Sequence, residues 1–195
     1  MVSLSKKGIR VLGIAESFQK TQGSDSILAG IVMRGDFLID GCGFEKITVG
    51  GLDGTERIIS LIKRLNRLDI HLILLNGCII SWFNIIDLEA VAQRTGLPVI
   101  CVTYQTSEGI EKYIKEYFTG EEVTKRLVLY NELKQRERLI LKTGQEIFVK
   151  TVGIDSQETL TILNRFLHQG KIVEPLRIAK LLAHTTFTEF CGKTT

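Results

Sequence analysis

The chain has 195 residues, 44% of them hydrophobic and 24% charged, with a formal net charge of +3. That length is enough to bury a sizeable core, and the balance of apolar to charged residues excludes wholesale disorder. The weak positive charge is interleaved through the sequence without a basic tail, so it does not by itself mark a nucleic-acid binder, which usually concentrates its cations on one face.

Ile9 to Ile14 reads as a buried strand, followed by a polar loop from Phe18 to Asp25. Ile27 to Met33 and Phe37 to Cys42 are two further strand-like runs, split by a hairpin-type turn at Arg34-Gly35-Asp36. Phe44 to Val49 extends or follows the third strand, and Gly50-Gly51 breaks the chain. From Leu52 the apolar period changes from two to about 3.6, which predicts a helix with Ile58, Ile59, Ile62, Leu65 and Leu68 on one side. Asp53 and Thr55 can cap its start.

His71 to Leu75 is the next predicted strand, and Asn84 to Thr95 the next helix, ended by Thr95-Gly96. Pro98 to Thr103 is another buried strand. Ser107 or Glu108 opens an amphipathic helix through Phe118, and Glu121 to Glu132 is a further helix. Leu139 to Lys142 and Ile147 to Val152 form a hairpin turning at Thr143-Gly144. Asp155 and Ser156 cap a helix to Leu167. Glu174-Pro175 opens a last helix through about Phe187, with proline in the first turn, where it costs no hydrogen bond.

Three antiparallel strands followed by right-handed β-α-β crossovers give a mixed α/β sheet with helices on both faces. That order matches the ribonuclease H-like architecture, with one domain over residues 1–195. A plain doubly wound parallel sheet is the alternative, and the early Arg34-Gly35-Asp36 turn argues against it.

The four cysteines, Cys42, Cys78, Cys101 and Cys191, show neither C-x-x-C nor zinc-ligand spacing and read as buried free thiols. Met1 to Lys7 has no long apolar core, and no apolar run approaches the roughly 18 residues of a membrane span. The expectation is a cytoplasmic protein. The apolar helix surfaces can also support a homodimer.

Asn76 ends a buried strand and sits where an open α/β sheet builds its sites, because strand ends and helix N-termini converge there. Glu16 ends the first strand, Asp53 and Glu56 stand at the first helix start, and Asn84 and Asp87 begin the next helix. In a ribonuclease H-like sheet the first and fourth strands are central neighbours, so these groups can converge. Clustered carboxylates with amide oxygens bind a hard cation such as Mg²⁺, which orients water and stabilises charge on a phosphodiester. Each residue also has a plainer reading. Asp53 can simply cap, Asp87 can complement the helix dipole, and Glu16 can be a solvated strand end.

Trp82 and Phe83 can stack on a base while Asn84 reads its edge, or they can pack the loop onto the core. Arg177 lies in the first turn of the last helix, where a cation is unfavourable. It is therefore held by a carboxylate such as Glu174 or by a phosphate. The three histidines pair with no obvious nucleophile, and no glycine pattern matches a dinucleotide or P-loop site.

Several segments together resemble a mainly archaeal family, endonuclease dU. They are residues 9–18 (IRVLGIAESF), 30–34 (GIVMR), 48–56 (TVGGLDGTE), 76–87, 95–100 (TGLPVI) and 174–179 (EPLRIA). They span nearly the whole chain in order. That family is in turn similar to endonuclease V, which cuts nucleic acid near deaminated bases with a ribonuclease H-like fold and Mg²⁺.

The resemblance implies a divalent-metal-dependent endonuclease acting on deaminated, deoxyuridine-containing DNA. Glu16 with Asp53 or Glu56 would hold Mg²⁺ or Mn²⁺, and Asn76 would complete the shell or position water. Trp82, Phe83, Asn84 and Asp87 would meet the substrate, and Arg177 a phosphate. The chain departs from endonuclease V at two of its three acids. Ala15 stands at the first, and Asn76, a neutral and weaker ligand, at the Asp of Asp-Gly. Glu16 substitutes for the first only if the strand ends or bulges there, because one step along a strand reverses the side-chain direction. A nucleic-acid-binding protein without hydrolytic power, and a small-ligand enzyme using the same crevice, are the rival readings.

Overall fold

The computed structural model describes residues 8–106, 109–133 and 135–191. Strands β1 (Arg10–Ser17), β2 (Asp25–Arg34) and β3 (Ile39–Thr48) form an antiparallel meander. Helix α1 (Gly54–Leu65), strand β4 (Leu72–Asn76), helix α2 (Leu88–Thr95) and strand β7 (Val99–Thr103) follow. Between β4 and α2 lies a small hairpin of β5 (Ile79–Ile80) and β6 (Asn84–Ile85). Helices α3 (Glu111–Tyr117) and α4 (Glu121–Leu133), strands β8 (Glu137–Ile140) and β9 (Glu146–Val152), and helices α5 (Ser156–Arg165) and α6 (Glu174–Phe190) complete the order.

The seven-stranded sheet runs β3-β2-β1-β4-β7-β9-β8. β1, β4 and β7 are mutually parallel, and the remaining pairs are antiparallel. This is the mixed ribonuclease H-like arrangement, with β1 and β4 side by side at the centre.

Side-chain alternation along β1 builds two cores. Leu12 and Ile14 join Ile58, Leu61 and Val91 on one face, whereas Val11 and Ala15 join Ile162, Phe166, Leu176 and Ala179 on the other. Gly13 lets α6 approach closely, since a Cβ there would lie 2.6 Å from Pro175 carbon atoms. No helix among the described residues is long and apolar enough to cross a membrane.

Several boundaries differ from the sequence expectation for identifiable reasons. The helix expected from Asn84 begins at Leu88, because Asn84 pairs in the small hairpin and Asp87 takes the N-cap, accepting from the Ala90 N–H at 2.8 Å. Leu68 lies beyond α1, which ends at left-handed Asn66, and is fully exposed. The helix expected from Ser107 or Glu108 starts at Glu111, and those two positions lie outside the described residues. Cys78 and Cys101 are joined in a disulfide rather than free, with Cα atoms 6.0 Å apart. Their approach follows from register: Cys101 neighbours Leu75, and Gly77 at φ 97° turns the chain so that Cys78 returns beside it.

Candidate functional site at the strand ends

The parallel strands β1, β4 and β7 end together, and the side chains there come from different elements. Glu16 is 9% exposed, its Oε2 has no hydrogen-bond partner, and Lys180 of α6 reaches it with Nζ 3.7 Å from Oε1. Nζ also donates to the Glu16 backbone oxygen at 2.6 Å. Burial pushes the Glu16 pKa above the usual carboxylate value, and the Lys180 ammonium only partly opposes it.

β1 neither ends nor bulges at Glu16. Its pairing with β2 continues regularly through Glu16↔Leu28 and Ser17↔Ile27. Glu16 therefore points to the face opposite Ala15 and does not stand in that position's place. The parallel ladder pairs Ile14 with Leu75, so Ala15 and Asn76 each follow one step beyond that pair. Ala15 and Asn76 thus sit at the same level of neighbouring strands.

The other expected acids are committed elsewhere. Asp53 turns away from capping α1 and accepts from Thr48 Oγ1 at 3.1 Å, Asn84 Nδ2 at 2.7 Å and Arg57 Nε at 3.2 Å. Partial burial alone would raise its pKa, but those hydrogen bonds together hold it below the usual value. Glu56 is exposed and chelated by the Arg94 guanidinium, with Nη2 donating to Oε2 at 2.9 Å. Among the described residues no group of three His, Cys, Asp or Glu could hold a metal ion. Glu16 offers one free carboxylate oxygen, but Asp53 and Glu56 do not join it and an ammonium stands beside it. The donor set does not fit the expected Mg²⁺ or Mn²⁺ cage.

Ser81, Trp82 and Phe83 have φ of 43°, 56° and 64°, a run of left-handed residues with no glycine among them. Such backbone persists where its surroundings fix it. Ser81 Oγ lies 2.8 Å from Ser26 Oγ, which donates to the oxygen of Ser17 at 3.1 Å, so the tip is tied to the end of β1.

Asn84 is completely buried. Its Oδ1 accepts from the Gly54 N–H at 2.8 Å, and its Nδ2 donates to Thr48 O and Asp53. It has nothing left to offer a base edge. Phe83 is buried against Phe118 with ring centroids 5.6 Å apart. Trp82 is half-buried, 5.1 Å from the ring of Tyr117, which is 41% exposed. Lys20 Nζ lies 5.4 Å and 5.1 Å from those two rings.

Asp87 is engaged as the α2 cap, and the Arg177 charge is met by Glu174, with Nη2 donating to Oε2 at 2.6 Å. Sequence reasoning missed Lys180, Lys20, Tyr117 and the buried Arg126, which donates to Gly50 O at 2.5 Å and lies 3.7 Å over the Phe118 ring. No spacing signal marks Lys180 among 25 Lys and Arg. Only the passage of α6 beside β1 does.

Residues 7–187 match the family of proteins described as endonuclease dU. The chain belongs to that family. A relative from Pyrobaculum calidifontis, named as a UPF0215 protein, is 35% identical over 173 residues, covering 88% of this chain and 93% of its own. Among solved structures, a protein of unknown function from Archaeoglobus fulgidus superposes with a TM-score of 0.77 at 26% identity, over 91% of this chain and 97% of that one. Endonuclease V of Ciona intestinalis, in complex with DNA containing an inosine followed by a ribo-adenosine, gives 0.63 at 15% identity, over 94% and 87%. This member of the endonuclease dU family therefore shares the fold of endonuclease V.

Proposed function

We propose that the chain is an endonuclease-like phosphodiester hydrolase acting on deaminated DNA, with deoxyuridine-containing strands as the substrate. The observation that carries this reading is Glu16, a buried carboxylate with one unpartnered oxygen at the end of the central strand, beside the Lys180 ammonium. A carboxylate whose pKa is raised by burial is a better proton acceptor than an ordinary one. Glu16 would take the proton of the water that attacks phosphorus, Lys180 would balance the charge that builds on the phosphate oxygens, and the P–O bond to the sugar oxygen would break as that oxygen takes a proton from solvent. The exposed edges of Trp82 and Tyr117, with Lys20 beside them, would stack against an unpaired base.

Family membership supports the nuclease reading, and the fold supports the placement of the site. A second reading, nucleic-acid binding without hydrolysis, is favoured by Ala15 and Asn76 standing where acids were expected.

The deciding experiment is cleavage of a deoxyuridine duplex beside its unmodified counterpart, with Mg²⁺, with Mn²⁺ and with chelator. Selective nicking by the wild type that falls about 100-fold or more in Glu16→Gln upholds the first reading. Binding without nicking under every condition upholds the second.

A further inference from the structure

Beyond Asn76, an open crevice of about 510 Å³ is lined by Thr103 and Tyr104 at the end of β7, by Arg136 and by Lys171. The two cations come from distant segments, one before β8 and one before α6, and the fold brings them to the same strand end. Arg136 Nη1 donates to Thr103 Oγ1 at 3.1 Å, and Lys171 Nζ donates to the Tyr104 backbone oxygen at 2.9 Å. Both contacts are to neutral oxygens. Among the described residues no Asp or Glu lines the crevice, and the hydrogen bonds described for both cations go to Thr103 Oγ1 and the Tyr104 oxygen. Most other arginines with described contacts at the surface are neutralised: Arg34 by Asp36, Arg67 by Asp69, Arg94 by Glu56, Arg138 by Glu146 and Arg177 by Glu174.

A guanidinium and an ammonium positioned by neutral acceptors keep their remaining N–H groups for an external anion. The Asn76 amide, on the adjacent strand, also lines this space.

We propose that this crevice is a phosphate-binding site, in which Arg136 and Lys171 grip one phosphate of a nucleic-acid strand and Asn76 donates to it. The proposal rests on the nucleic-acid reading above and deepens it by placing a backbone contact one strand away from β4, on the side opposite β1. Fixed phosphate contacts set the register of a strand without reading its sequence. The site would therefore hold deoxyuridine-containing and unmodified strands alike.

The test is fluorescence anisotropy of an end-labelled deoxyuridine duplex and its unmodified counterpart across a range of salt concentrations. Wild type is compared with Lys171→Gln, Arg136→Gln/Lys171→Gln and the charge-keeping Lys171→Arg, each checked for folding by thermal melting. The single variant guards against loss of the Arg136 packing on Phe148, whose ring centre is 5.8 Å away.

The expected result is weaker binding of both duplexes, by on the order of 10-fold for each neutralised cation. The salt slope should become shallower by about one unit, with Lys171→Arg close to wild type. Unchanged affinity and slope in folded glutamine variants would overturn the phosphate site and leave the nuclease reading standing. A wild type that binds neither duplex would overturn both.

Discussion

The Nζ of Lys180 donates to the backbone oxygen of Glu16 at 2.6 Å and stands 3.7 Å from the same residue's Oε1. One ammonium thus anchors α6 to the end of β1 and partly compensates a carboxylate that burial would otherwise leave isolated. Compensation is incomplete, because Oε2 has no partner and the pKa remains raised.

A raised carboxylate pKa means that the native state keeps a proton which the unfolded chain releases. Stability therefore falls as pH rises from the unfolded value, near 4.5, through the folded pKa, and stays lower above it. Glu16→Gln should flatten that part of the profile and raise the melting temperature at neutral pH while lowering cleavage about 100-fold or more. Lys180→Met should deepen the fall, since it removes the compensating charge. Denaturant titrations from pH 4 to 9 on the three proteins measure this, and a flat wild-type profile would contradict the assignment.

The opposite sign holds for Asp53. Its pKa is held low, so its contribution is present above the ordinary value of 3.8 and is lost as pH falls through the folded pKa. Asn84 is the buried centre of this network, linking the Gly54 N–H, the Thr48 oxygen and Asp53. Asn84→Ala should cost about 3 kcal/mol, because it leaves a buried donor and an acceptor unmet as well as a cavity. If Asn84 were a base-reading residue with a merely local role, the variant would bind nucleic acid poorly with an unchanged melting temperature.

The disulfide closes a sequence separation of 23 residues that includes α2. A loop of that size corresponds to about 3 kcal/mol of stabilisation through the unfolded chain. Thiol titration of the native protein should find Cys42 and Cys191 free, and reductant should lower the denaturant midpoint accordingly. Four titrating thiols in the unreduced protein would show the bond absent.

The sheet was legible because its signals are local and repeated. Continuous apolar runs mark β1 and β2, the Arg34-Gly35-Asp36 turn marks the β2–β3 hairpin, and the 3.6 period marks α1. The candidate site was legible only as positions on strand ends. Glu16 and Asn76 could be placed there from element order, but partners such as Lys180, more than 160 positions away in the chain, depend on helix packing that no short pattern encodes. Asn84 and Asp53 show the same limit. A polar residue before a helix looks like a cap or a ligand, and what decides between them is a neighbour from another element. The left-handed run at Ser81, Trp82 and Phe83 was invisible because none of those residue types favours that conformation.

Gly13 tests how tightly the two halves of the site are coupled. An added Cβ would meet Pro175 backbone and side-chain atoms at 2.6 Å, so α6 must shift. Gly13→Ala should destabilise by about 3 kcal/mol. Because Lys180 rides on α6, cleavage should fall by more than the folded fraction does. Equal losses would indicate that the Lys180 position is set locally rather than by the seat of α6 on β1.

Tyr104 supplies the complementary case. Its hydroxyl is buried without a partner, and burial drives its pKa well above the usual phenol range. A lone buried hydroxyl costs desolvation that no bond returns, so Tyr104→Phe, which keeps the ring packed against the α5–α6 core, should stabilise the fold by about 1 kcal/mol. Lys171 is held by the Tyr104 backbone oxygen, which the substitution leaves in place. A loss of stability would mean that the hydroxyl bonds an ordered water in solution.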